Sequence, residues 1–195
     1  MTSLTELRAR LRVDLADPTA CLWSDPELDC FLAHAVCEFS AASPRRVTAV
    51  LPMALNEPMV SLAALHGLID VVGVEYPLDR FPAHSVPVSR SSDALLLHIE
   101  GALEPPTAED SCRVTYTASH LLDSDASTIP PQFDDLIVAG AAALASLEGA
   151  ELETKSTGQE RAAARARARL TAFRQLLHDH RPAIEVGGRT YRRPA

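Results

Sequence analysis

Three clusters in this chain have the residue types and spacing for chemistry. Cys30, His34 and Cys37 fall at i, i+4 and i+7, so one helix face presents three soft ligands. A zinc site needs a fourth ligand or a water, and a second shell of supporting bonds. The same residues also suit the flank of a helix core stripe. His178-Asp179-His180 offers three more donors. On a helix, however, i and i+2 point apart, and a histidine near the C-terminal end suits the negative pole of the dipole. Ser119-His120 with Asp123 has the residue types of a hydrolase triad. Triads are assembled across a fold, and a polar exit from a strand uses the same residues. The sequence holds no G-x-x-x-x-G-K-[ST], G-x-G-x-x-G, H-E-x-x-H or G-x-S-x-G. The expectation is a chain that is not an enzyme, with no catalytic residues, no cofactor and no metal.

Two basic groups point to binding instead. Arg161, Arg165 and Arg169 repeat at i, i+4 spacing. Such a row can grip phosphates, form a solvated face, or pair with acids of the preceding helix such as Glu148 and Glu151. After Arg181, the chain runs through Gly187-Gly188 to Arg189, Tyr191, Arg192 and Arg193. A packed core has little use for that sequence. An arm of this composition can dock on a neighbour by strand addition or arginine pairing, or remain a solubilising tail.

The elements that must position these residues come from periodicity and caps. Ser3 with Glu6 forms a capping box for a first helix from about Leu4 to Ala16, with Leu4, Leu7, Leu11 and Leu15 on one side. Asp17-Pro18 ends it. Ser24, Asp25, Pro26 and Glu27 open a second helix whose stripe is Leu28, Phe31, Leu32, Ala35, Val36 and Phe39. Residues 45–120 read as β-rich. Val47 to Leu51 and Leu68 to Tyr76 are strands, and Phe81 to Ser92 is an exposed loop. Ala94 to Glu100 and Cys112 to Ala118 look like antiparallel partners. Gln132 to Leu152 and Gln159 to His180 are helical, the latter with Ala162, Ala166, Leu170, Phe173, Leu176 and Leu177 on one side. The fold class is α+β, mainly α: a helical bundle from both chain ends, an inserted β-rich middle region and an extended C-terminal arm. Residues 1–181 make one domain (helices 3–42 and 132–180, insertion 45–120) and residues 182–195 the arm.

Composition bounds the rest. At 195 residues and 47% hydrophobic content, the chain suits a globular domain carrying an insertion. No apolar run reaches the roughly 18 residues of a membrane span, and the start lacks a signal-peptide pattern. Cys21, Cys30, Cys37 and Cys112 form no C-x-x-C pair and are expected as free, mostly buried thiols. The net charge of −8 divides into −15 before Lys155 and +7 from Lys155 onward. An acidic body with a basic end argues against a general nucleic-acid binder. A nucleic-acid-binding module using the basic C-terminal third is the alternative that the same charge leaves open.

Five pieces, in order, carry a resemblance: Leu7 to Leu11, Leu22-Trp23-Ser24-Asp25-Pro26-Glu27-Leu28, Val71 to Pro77, Arg113 to Ala118, and Pro130-Pro131 to Leu136. Together they resemble the head–tail connector (adaptor, or head-completion) proteins of tailed bacteriophages. The resemblance implies a structural virion protein at the head–tail junction, assembled in the host cytoplasm. It implies a ring, usually of about twelve copies, beneath the portal. It also implies a portal contact through the C-terminal arm, here Arg189, Tyr191, Arg192 and Arg193, and a tail or stopper protein on the other side. DNA would pass through the lumen unbound, with the acidic body keeping it off the wall.

Overall fold

A computed structural model of the chain describes residues 2–53, 57–78, 82–99, 110–152, 157–180, 184–186 and 189–191. It contains four helices and antiparallel sheets, an α+β fold divided into two compact units. The helical unit comprises Met1–Ser43 and His120–Ala195, and the sheet unit comprises Pro44–Ser119.

The helical unit begins with α1 (Leu4–Asp14), whose capping box forms as the sequence requires. Ser3 N–H donates to Glu6 at 3.0 Å, and Glu6 N–H donates to the Ser3 hydroxyl at 3.3 Å. In α2 (Asp25–Ala42), the Glu27 carboxylate takes both the N–H and the hydroxyl of Ser24, at 2.7 Å each. A 3-10 turn (Pro131–Phe133) leads into α3 (Asp134–Leu152), and α4 (Thr157–Asp179) follows. The core holds Leu7, Leu11, Leu28, Leu32, Phe39 and Ile137, all at 0% exposure. Each such side chain contributes about 1.5–3 kcal/mol of burial. α3 touches each of the other three helices. Its alanines make that possible, because Ala141, Ala142, Ala143 and Ala145 are all buried and keep neighbouring backbones close. In α4 the buried positions are Ala163, Ala166, Leu170, Phe173 and Leu177, a clean i, i+3, i+4 stripe. Ala162 and Leu176, expected on that stripe, are exposed instead. They lie one position off its centre.

Among the described residues the sheet unit has seven strands: β1 (Arg45–Pro52), β2 (Met59–Ser61), β3 (Leu68–Glu75), β4 (Ser85–Val86), β5 (Val88–Arg90), β6 (Ala94–Leu97) and β7 (Ser111–Ala118). They form a four-stranded sheet, β1-β7-β3-β4, and a three-stranded sheet, β2-β6-β5. The two enclose a second core including Leu51, Val60, Val74, Leu95, Leu97 and Val114. β7 alternates buried and part-buried residues along its full length, as a strand with one face in a core must.

Two expectations for this region are overturned. Ala94–Leu97 does not pair with the segment ending at Ala118. β7 is eight residues long and pairs along its length with β1 and β3, while the four-residue β6 pairs with β2 and β5. β7 thereby has a partner on each side for most of its length, and β6 is the central strand of a separate, shorter sheet. The segment 81–92 is also not simply a loop: it supplies the short edge strands β4 and β5. Pro87 between them lacks an N–H, but its carbonyl accepts from His98 N–H at 2.8 Å. The expected burial of the thiols fails as well. Only Cys112 is buried; Cys21 lies in an exposed loop, and Cys30 and Cys37 lie on the outward face of α2.

Near the C-terminus, β8 (Ile184–Val186) and β9 (Arg189–Tyr191) pair antiparallel, with Ile184 opposite Tyr191 and Val186 opposite Arg189. No described helix is long and apolar enough to cross a membrane.

Candidate docking surface

The first turns of the molecule show how its charges are used. Asp17 is buried in the loop between α1 and α2 and accepts three backbone N–H groups. These come from Cys21 at 2.8 Å, Leu22 at 3.2 Å and Trp23 at 3.0 Å. Burial pushes this carboxyl up, but the three N–H bonds and the Arg12 guanidinium outweigh it and hold the pKa below the usual range. Around it, Arg8 binds Asp29 bidentately at 2.7 Å and Asp25 at 2.9 Å, and Arg12 reaches Asp25 and the Trp23 carbonyl. Hydrogen bonding by Arg12 lowers the Asp25 pKa, and bonding by Ser24 lowers that of Glu27. This network ties α1 to α2. The i, i+4 pairs Arg8/Arg12 and Asp25/Asp29 were its sequence signal, since each pair places two like charges on one helix face.

Two of the three sequence clusters bond within the fold, and the third lies on the surface of α2. The Ser119 hydroxyl donates to Gly67 O at 3.4 Å, away from any triad geometry. His120 is buried, with one ring nitrogen 3.0 Å from Thr128 O and the other 3.0 Å from Ser43 O. Its backbone N–H donates to the buried Ser40 hydroxyl at 2.9 Å. His120 thus joins the point where the chain leaves the helical unit to the point where it returns. Asp123 receives Leu4 N–H on its backbone carbonyl at 3.0 Å. Cys30, His34 and Cys37 are exposed on α2, with His34 Nε2 3.6 Å from Glu38. Among the described residues no three His, Cys, Asp or Glu side chains converge on a metal position. His180 turns its Nδ1 to Leu176 O at 2.8 Å and stands edge-on to Phe133, ring centroids 5.5 Å apart. It lines an open recess of about 400 Å³ with Gln132, Phe133, Leu136 and Leu176. Asp179 accepts from Gln175 at 3.1 Å.

The arginines of α4 divide into two kinds. Arg169 reaches Asp14 of α1 at 3.3 Å, and Arg174 grips Glu38 of α2 with two bonds of 2.8 and 3.0 Å. Arg174 accordingly lowers the Glu38 pKa. Pairing of this row with acids of α3 was one of its three readings; among the described residues Arg169 turns instead to Asp14 of α1 and Glu148 is exposed, while the Glu151 side chain lies outside the described residues. Arg161, Arg165 and Arg167 are exposed, and none has a carboxylate within 4 Å among the described residues. Of the four arm residues singled out in the sequence, Arg189 and Tyr191 begin and end β9, while Arg192 and Arg193 lie outside the described residues.

The family model described as "SU10 adaptor protein" matches residues 2–194. No curated protein matches the sequence. Among solved structures, a chain from the virion of a native gene transfer agent particle is similar at 16% identity and a TM-score of 0.31. The match covers 84% of this chain and 88% of that one. At that score the likeness carries no argument of its own.

Proposed function

From the premise that this chain belongs to the SU10 adaptor protein family, and is a structural adaptor protein of a phage virion, we propose that its copies form a ring between portal and tail. On this reading the protein is not an enzyme. It completes the head, and DNA moves through the ring's lumen during ejection without being specifically bound. The single observation that carries the reading is the family match, which runs through both units and into the C-terminal residues.

The charge distribution supports the same reading. Residues before Lys155 sum to −15, and an acidic body repels a passing polyanion. The basic and aromatic C-terminal residues Arg189, Tyr191, Arg192 and Arg193 are proposed as the contact with the portal, where arginine meets carboxylate or backbone carbonyl. A tail or stopper component is the proposed partner on the opposite side.

Native mass measurement on the full chain, alone and recovered with its virion partners, tests the reading. The expected result is a many-copy ring or a complex with a portal-sized ring. Deleting residues 182–195 should release the portal and leave the helical unit folded. A monomer with no large partner overturns the reading. Retention of DNA by such a monomer at moderate salt would assign the basic third to nucleic acid instead.

A further inference from the structure

We propose that the outward face of α4 around Arg161 and Arg165 docks onto a second copy of this chain, at the carboxylate cluster Asp25, Glu27 and Asp29 that opens α2. The inference rests on the ring reading above and names the surfaces through which neighbouring copies meet.

The argument starts from charge that is satisfied and charge that is not. Arg8, Arg12, Arg169 and Arg174 all pair with carboxylates of their own chain. Arg161 and Arg165 differ, because they point opposite the buried stripe of α4 and have no carboxylate within 4 Å among the described residues. They stand one turn apart, so their guanidinium groups serve one surface. The positions between and beyond them on this face, Ala164, Ala168 and Ala172, are exposed and small. A partner helix can therefore approach closely enough for arginine to reach its carboxylates.

The complementary charge lies on the same molecule. Residues 1–43 carry seven acidic and three basic side chains, whereas α4 carries five arginines and two acids. The densest run of acid is Asp25, Glu27 and Asp29: Asp25 and Asp29 face the guanidinium groups of Arg8 and Arg12, and Glu27, two positions on, turns to Ser24. A carboxylate has about four acceptor sites, so those already bonded keep capacity on their outer side. Asp25 retains 55% side-chain exposure. A basic face on one element and an acidic face on another make a heterologous contact. Repeated around an axis, such a contact closes a ring, and a self-complementary patch does not.

The test uses the full chain. Self-association is followed by sedimentation against salt for the unsubstituted chain, for Arg161→Glu with Arg165→Glu, and for the milder Arg161→Gln with Arg165→Gln. The buried Trp23 reports that each remains folded. Charge reversal is expected to weaken association about tenfold or more and to reverse its salt dependence, with the glutamine pair intermediate. A second arm places Ala168→Cys in a chain whose Cys21 and Cys37 are serine, keeping Arg161 and Arg165. A short bis-maleimide should then join residue 168 of one copy to Cys30 of another. Equal association of all three chains, or no such cross-link, overturns this inference and leaves the ring reading standing. DNA retention that the reversal abolishes while association is unchanged overturns it in favour of phosphate binding. No association of the unsubstituted chain with itself or with any large partner would bring down both.

Discussion

Gly140 on α3 faces the ring of Phe173 so closely that an added Cβ would stand 2.6 Å from it. Phe173 is itself 2% exposed and has no room to retreat. Gly140→Ala should therefore destabilise the helical unit. Overpacking costs about 1–3 kcal/mol, against the ~1 kcal/mol that alanine gains in helix propensity. A urea midpoint shifted downward with unchanged slope is the expected observation. The four thiols give a second residue-scale prediction. Burial pushes the Cys112 pKa up to about 11, whereas Cys21, Cys30 and Cys37 are exposed. Since the thiolate is the nucleophile, a maleimide should add three labels to the native chain at neutral pH. The fourth should appear only on unfolding, and intact-mass measurement counts them. The α2 stripe already set Cys30 and Cys37 to its flank in the sequence, whereas the burial of Cys112 was not legible, because it depends on which face of β7 meets the second core.

Among elements, the junction of α1, its following loop and α2 is the most pH-sensitive. Asp17, Asp25, Glu27 and Glu38 all have pKa values lowered in the fold. The unfolded chain therefore binds protons first as pH falls. Their contribution is complete above the unfolded values of 3.8 for Asp and 4.5 for Glu, and is lost as pH drops through the lower folded values. Fluorescence of the single tryptophan, Trp23, should report unfolding of this junction below about pH 4. Asp17→Asn should lower stability at pH 7 and flatten that acid dependence. The helices themselves were readable in advance, because caps and a 3.6-residue stripe are local signals: Ser3 and Ser24 mark their starts to the residue. Strand pairing was not readable, because β7 finds β1 and β3 across tens of residues of chain. Nor was the Asp17 loop, where a buried carboxylate organises three backbone N–H groups within a segment that reads only as a helix stop.

At the scale of the molecule, the sheet unit is inserted into the helical unit between Ser43 and His120, and each has its own core. His120 Nε2 lies 3.0 Å from Ser43 O, so the two ends of the helical unit's gap already meet. Replacing residues 44–119 with a short glycine-serine linker should leave the helical unit folded. Retained helical circular dichroism and a buried Trp23 would confirm it, and an exposed Trp23 would show that the helices depend on the insertion. The adaptor family was legible because its pieces are spread from α1 to α3 and do not depend on how β strands pair. The proposed docking residues of the arm, Arg189, Tyr191, Arg192 and Arg193, were nominated by its composition together with the family resemblance.

The inserted topology also governs how the protein is made. Roughly 90 residues separate the end of α2 from the start of α3, so a ribosome working at about 5–20 residues per second needs on the order of 5–20 s to cross the gap. Throughout that interval α1 and α2 are out of the ribosome with Leu28, Leu32, Val36 and Phe39 waiting for α3. The sheet unit is contiguous and can complete itself first. The nascent chain therefore passes through a stage with one finished unit and one open apolar helix pair. That stage leaves apolar helix surface open to aggregation, and slow codons between residues 44 and 119 would prolong it.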